Sequence, residues 1–258
     1  PAETLESISV GNLNFLEAIR VIGRPVRFYN ACSSECFGNI SVAADETTPF
    51  RPRSPYAVAK SAAFWQVANY REAYGLFATS GILFNHESPL RPERFVTRKI
   101  AAAACRIAQG SGETLRLGNI AVQRDWGWAP EYVEAMWAML QQDEADDYVV
   151  ATGETHALET FLQTAFECAG LDWHDHVETD PALTRPTDLG VGRANPAKAR
   201  EKLNWPYPAF EVPNNVTSAW RDVGARGGDV RAAWLERLDA LDQNDRAAFD
   251  RAMACDLP

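Results

Sequence analysis

The chain has 258 residues, 46% of them hydrophobic and 23% charged. That is enough apolar content for the core of one large α/β domain or two small ones, in a composition too ordinary for disorder, collagen or coiled coil. A formal net charge of -10, from 35 acidic and 25 basic residues, counts against nonspecific nucleic-acid binding, which needs a basic footprint. No apolar stretch approaches the ~18 residues of a membrane span and no basic, then apolar, leader opens the chain, so a soluble, cytoplasmic protein is expected.

Leu13, Leu16, Ile19 and Ile22 recur at helical spacing, which predicts a helix over the first 23 residues until Gly23 and Pro25 stop it. Residues 26–29 (VRFY) form a β-type run that gives way to the polar stretch 30–35. Ser54 and Pro55 then open a helix to about residue 75, with a serine N-cap, proline at the first helical position and glycine after the end. A second strand is predicted within 75–85, followed by polar HESP. Beyond it come a helix over roughly 94–109, a strand at 115–119, a helix over 130–140, a strand at 147–153 and an amphipathic helix over 156–169 closed by Gly170.

Strands alternating with helices imply crossover connections and a parallel sheet. Such sheets bind ligands in the crevice beyond the carboxyl ends of their strands, which places 30–35 and 85–89 at the functional edge. After residue 170 prolines punctuate the chain. Asn195 and Pro196 open a short helix to residue 203, and a charged helical tail with apolar Trp234, Leu235, Leu238 and Leu241 ends the sequence.

The five cysteines (Cys32, Cys36, Cys105, Cys168 and Cys255) are odd in number. Cys32 and Cys36 have the wrong spacing for a redox CxxC, and no Cys/His set completes a zinc site. Reduced, mostly structural thiols are expected. His174 and His176 lack a third metal ligand and read as a surface loop. GARGG at 224–228 follows no strand and precedes no lysine, so it is not a phosphate loop.

Tyr56 and Lys60 stand four apart on the predicted helix and so share a face. A phenol titrates near pH 10 (roughly, unperturbed). A neighbouring ammonium favours the phenolate, making the pair suited to proton transfer at an alcohol or ketone. On spacing alone a surface tyrosine and a surface lysine remain the commoner explanation. Ser33 and Glu35, following the first strand, could bring a hydroxyl and a carboxylate to the same crevice.

The segments NACSSECFGN, ETTPFRPRSPYAVAK, GILFNHESP, FVTRKI, LRLGN and RDWG together resemble the extended short-chain dehydrogenase/reductases, and within them the GDP-mannose 4,6-dehydratase family. The resemblance runs from residue 12 to about 205. It implies an α/β fold: a Rossmann-like doubly wound parallel sheet lacking its N-terminal strands, with a smaller C-terminal α/β substrate-binding part. Residues 1–90 would be the remainder of the NADP-binding domain with the catalytic residues, 91–220 mainly the sugar-nucleotide part, and 221–258 a tail without a clear counterpart.

The same resemblance puts the hydroxyl–Tyr–Lys triad on Ser33 (usually Thr in the family), Tyr56 and Lys60, and the dehydratase carboxylate on Glu35. It implies that Tyr56 takes the sugar O4 proton while hydride passes from C4 to NADP. Glu35 then removes the C5 proton, water departs from C6, and hydride returns to C6. Lys60, His86 and Arg91 match cofactor contacts; Asn85, Lys99, Arg124 and Arg185 match the GDP-mannose pocket. A homodimer or homotetramer is implied.

Two departures accompany the match. The family's Gly-rich GxxGxxG turn occurs nowhere in the 258 residues, and residue 1 aligns inside the helix before the family's fourth strand, so this chain alone is expected to be inactive or nearly so. The stretch 173–183 is shorter than the family's insertion. The alternatives to a dehydratase are a non-catalytic sugar-nucleotide-binding remnant or partner subunit, and a related nucleotide-sugar dehydratase or epimerase.

Overall fold

A computed structural model describes residues 1–88, 91–183 and 189–205. The predicted tail helix and Arg185 lie outside the described residues. The chain divides into two compact units. The first comprises Pro1–His86, Leu117–Glu159 and, among the described residues, 179–205; the second comprises Glu87–Arg116 and Thr160–Glu178.

The N-terminal helical run is observed as α1 (Ala2–Leu5), a π turn (Glu6–Val10) and α2 (Gly11–Ile22). Gly23 ends it at φ 64°, a left-handed conformation that glycine adopts without steric cost. The first strand, β1 (Phe28–Ser33), differs from the expected 26–29. It runs on through residues whose polarity suggested a loop, because the Asn30 amide donates to Ser80 Oγ at 3.1 Å on the neighbouring strand and is satisfied inside the sheet. A 3₁₀ turn (Ser34–Phe37) follows.

Helix α3 (Pro55–Tyr74) has the predicted ends. Ser54 Oγ accepts from the Ala57 amide at 3.1 Å, and Gly75 closes the helix at φ 66°. Strand β2 (Ala78–Leu83) is buried along its whole length, as expected of a strand covered on both faces. The chain continues through β3 (Asn85–Glu87), α4 (Val96–Ala108), β4 (Leu115–Leu117), β5 (Gln123–Arg124), β6 (Trp126–Trp128), α5 (Ala129–Met139) and β7 (Tyr148–Val150). It then forms β8 (His156–Ala157), α6 (Leu158–Cys168), β9 (Val177–Thr179) and α7 (Ala197–Lys202).

Residues 156 and 157 open no helix. They pair antiparallel with β5, Arg124 opposite His156, and α6 starts only at Leu158.

In the first unit β1, β2 and β7 form a parallel sheet in that order, with Ser33 opposite Leu83 and Leu83 opposite Val150. The carboxyl ends of all three strands therefore meet at one edge. One apolar cluster joins Leu16 of α2 with Val67 and Tyr70 of α3 and Ala78 of β2. Another joins Leu83 and Val150 with Tyr132, Ala135 and Met139 of α5 and with Ala199, Leu203 and Trp205.

Polar ties reinforce the sheet. Asp147 accepts from the Ser80 amide at 2.8 Å and pairs with Arg71 of α3. Gly81 has no room for a side chain, since a Cβ there would stand 2.5 Å from the Tyr29 hydroxyl.

The second unit is built on α4, whose Thr97, Ile100, Ala101, Ala103, Ala104 and Ile107 are buried. Arg106 closes its end on Glu93 and Glu113. No helix among the described residues is long and apolar enough to cross a membrane.

Candidate active site

Ser33 is the last residue of β1 and the N-cap of the 3₁₀ turn, where its Oγ accepts from the Glu35 amide at 3.3 Å. One hydroxyl thereby ends the strand and fixes the start of the turn that carries the Glu35 carboxylate. Tyr56 and Lys60 project from the first turns of α3. Lys60 Nζ donates to the Ala31 carbonyl at 2.8 Å and lies 5.7 Å from the Tyr56 ring centroid, so the ammonium ties α3 to β1.

The electrostatics differ from the sequence expectation that Lys60 would draw the phenol pKa down. Tyr56 is 42% exposed as a residue, yet burial around its hydroxyl pushes the phenol above its ordinary value. A hydrogen bond with Ser33 opposes that shift, and the Cys36, Cys32 and Glu35 charges add to it. Desolvation of the phenolate wins. Lys60 is itself lowered, chiefly by burial, against the opposing pull of Cys32 and Cys36.

Beyond the carboxyl end of β2, Glu35, Asn85 and Arg124 line one small cavity together with Phe37, Phe84 and Gly192. Arg124 Nη1 donates to the Gln123 carbonyl at 2.9 Å. His86 Nδ1 lies 2.9 Å from the Phe84 carbonyl. A carbonyl only accepts, so Nδ1 is the donor. The ring stacks on Tyr132 with centroids 4.8 Å apart.

Asp125, which sequence reasoning passed over, anchors this corner. It is fully buried and accepts from Thr152 N at 2.9 Å, Thr152 Oγ1 at 2.9 Å and Gly153 N at 2.7 Å. Burial nevertheless raises its pKa to about 6. The only sequence signal was an acid between Arg124 and Trp126; its three donors lie far along the chain.

Arg91 and Lys99 belong to the second unit. Arg91 Nε pairs with Glu87 Oε2 at 3.0 Å, and its guanidinium lies 3.9 Å from the Phe95 ring centroid. Lys99 Nζ donates to the Arg116 carbonyl at 2.6 Å. Of the sequence candidates, Ser33, Glu35, Tyr56, Lys60, Asn85, His86 and Arg124 thus share the first unit.

Comparisons with known proteins agree on the lineage. The family model described as GDP-mannose 4,6 dehydratase matches residues 1–212. GDP-mannose 4,6 dehydratase 1 of Arabidopsis thaliana is 52% identical over 216 residues, 82% of this chain and 60% of the relative. The GDP-mannose 4,6 dehydratase of Homo sapiens is 44% identical over 229 residues, 81% of this chain and 62% of the relative. The chain thus spans about 60% of the length of these curated relatives.

Among solved structures, RMD from Pseudomonas aeruginosa complexed with NADPH superposes with a TM-score of 0.76 at 24% identity, covering 86% of this chain and 74% of that one. The fold is shared at that distance. A parallel sheet ending in a serine, a carboxylate and a Tyr–Lys helix, together with a family match over most of the sequence, leads to one conclusion: the chain belongs to the GDP-mannose 4,6-dehydratase family of extended short-chain dehydrogenase/reductases.

Proposed function

We propose that this chain carries the proton-transfer and sugar-nucleotide residues of an NADP-dependent GDP-mannose 4,6-dehydratase, forming GDP-4-keto-6-deoxymannose. One observation carries the reading. Ser33, Tyr56 and Lys60 cluster where β1 ends, and Glu35, one turn further, lines a cavity with Asn85 and Arg124. A hydroxyl–Tyr–Lys set serves alcohol–ketone interconversion, and an adjoining carboxylate adds the base that an elimination needs.

The residues present suit the nicotinamide end of a dinucleotide. The strands end at one edge, where Lys60 and Tyr56 lie against β1. Lys60 and His86 would hold that end, and the family resemblance alone assigns Arg91 a cofactor contact. Bound there, a nicotinamide dinucleotide supplies the hydride acceptor for C4 and the hydride donor for C6.

The chain's own residues do the rest. Ser33 orients the sugar O4, and Tyr56 accepts its proton as C4 becomes a ketone. That ketone acidifies the C5 hydrogen, Glu35 removes it, and water leaves from C6. Asn85 and Arg124 line the sugar-nucleotide cavity, where a guanidinium can hold a diphosphate through paired hydrogen bonds. The family resemblance alone assigns Lys99 and Arg185 to GDP-mannose.

Calorimetric titration of the 258-residue chain with GDP-mannose and with NADP, separately and together, tests the assignment. Saturable GDP-mannose binding that falls at least about tenfold in Arg124→Ala, a loss of roughly 1.4 kcal/mol, is expected. A folded chain that binds neither ligand, or binds GDP-mannose equally well without Arg124, overturns it.

A further inference from the structure

Two thiols that the proposed reaction does not use flank its residues in the chain. Cys32 immediately precedes Ser33, and Cys36 immediately follows Glu35. Their spacing matches no redox motif, but β1 ends at Ser33 and the 3₁₀ turn folds back, bringing Cys32 Sγ and Cys36 Sγ to 3.7 Å. Both are free and buried, at 3% and 0% exposure. Cys32 Sγ faces the Lys60 carbonyl at 3.9 Å, and Cys36 Sγ the Ala57 carbonyl at 3.7 Å.

We propose that Cys32 and Cys36 form a reversible disulfide with hydrogen peroxide, and that the cross-link pulls Glu35 and Ser33 out of their working arrangement. The second half rests on the roles given to those two residues above.

The surroundings polarise the pair. Cys36 is lowered by its thiol contact with Cys32, by Ser61 and by the nearby Lys60 ammonium, against burial; Cys32 is raised by the same thiol contact and by burial. The proposed attacking role goes to Cys36, the sulfur between the cavity-lining Glu35 and Phe37 in the chain. It displaces hydroxide from peroxide by breaking the O–O bond, becoming a sulfenic acid. Cys32 sulfur then attacks Cys36 sulfur; the S–S bond forms, hydroxide leaves and takes up the thiol proton. Two thiols lose two electrons and two protons, and peroxide becomes two waters. A dithiol reductant reverses the step.

Glu35 and Phe37, the chain neighbours of Cys36, line the cavity through which hydrogen peroxide is proposed to enter. Closure has a direction. The sulfurs must approach from 3.7 Å to about 2 Å. Strand β1 is paired residue by residue with β2 from Phe28 to Ser33, whereas the 3₁₀ turn is a single turn held by the Ser33 cap, by the Arg51 amide on the Cys36 carbonyl at 2.8 Å and by buried Phe37. The turn moves, taking with it the Glu35 amide that rests on Ser33 Oγ.

The test treats the 258-residue chain with hydrogen peroxide, alkylates it with iodoacetamide without reduction and digests it with trypsin. Both cysteines fall in peptide 28–53, since Pro52 blocks cleavage after Arg51. The expected product is that peptide two hydrogens lighter and unlabelled, becoming doubly labelled when dithiothreitol precedes alkylation. Hydrogen exchange at the Glu35 amide rises about fivefold, as for the loss of one hydrogen bond. Cys36→Ser and Cys32→Ser each take one label and show no such rise.

A doubly labelled peptide at a dose that oxidises the more accessible Cys105 and Cys168, or sulfinic acid at either position, overturns the disulfide. A cross-linked peptide with unchanged Glu35 exchange overturns the displacement. No readout requires turnover, so these outcomes stand apart from the fate of the dehydratase assignment.

Discussion

At the scale of single residues, the site is a contest between desolvation and local partners. The Tyr56 phenol is raised by burial despite its Ser33 hydrogen bond, and the Lys60 ammonium is committed to the Ala31 carbonyl. In the proposed reaction, proton transfer from O4 would fall to a tyrosine whose pKa is raised, and its basic form becomes more populated as pH rises. Tyr56→Phe keeps the ring and removes the hydroxyl. In a protein shown to turn over, it is expected to cut kcat by about 10²–10⁴ while leaving GDP-mannose affinity within about threefold. In the proposed cycle Glu35→Gln would block a later proton transfer, so reduced nicotinamide should accumulate by absorbance without 6-deoxy product; normal product formation would remove Glu35 from the C5 step. Tyr56 and Lys60 were legible because four residues on a helix define a shared face. Asp125 and the Cys32–Cys36 contact were not, since the first depends on donors at 152 and 153 and the second on where β1 stops.

At the scale of elements, helix α3 sets the position of both Tyr56 and Lys60, and its start depends on one side chain. Ser54 Oγ satisfies the Ala57 amide, one of the donors every helix start leaves open. Ser54→Ala is expected to cost about 1 kcal/mol, measured by denaturant unfolding, with Ser54→Asp retaining most of it. An unchanged midpoint for the alanine variant would show that Pro55 and packing alone define the start. The ends of α3 were legible because capping chemistry is local. The extent of β1 was not, because Asn30 is polar by sequence and becomes a strand residue only when Ser80 arrives beside it. Residues 156 and 157 carried a helical pattern and went instead to pairing with β5, a tertiary choice that periodicity does not register.

At the scale of the whole molecule, the alternation of strands and helices was enough to foresee a parallel sheet, but the corner beyond the sheet is held by a buried charge. Asp125 ties the β5–β6 segment to the loop after β7, and Arg200, in α7, donates to the Thr152 carbonyl of that loop. Its carboxyl is raised from 3.8 to about 6 because burial outweighs three hydrogen bonds. A carboxyl raised on folding binds more protons in the native state. Its contribution is therefore complete below pH 3.8 and is lost as pH rises through about 6. The unfolding free energy of the wild type relative to Asp125→Asn should accordingly fall by up to about 3 kcal/mol between pH 4 and pH 7, from a shift of roughly two pKa units. The comparison cancels the other titrating groups. A flat or rising difference in denaturant melts across that range would mean that Asp125 is ionised in the fold and that the Thr152 and Gly153 donors, with Arg200 nearby, outweigh its burial.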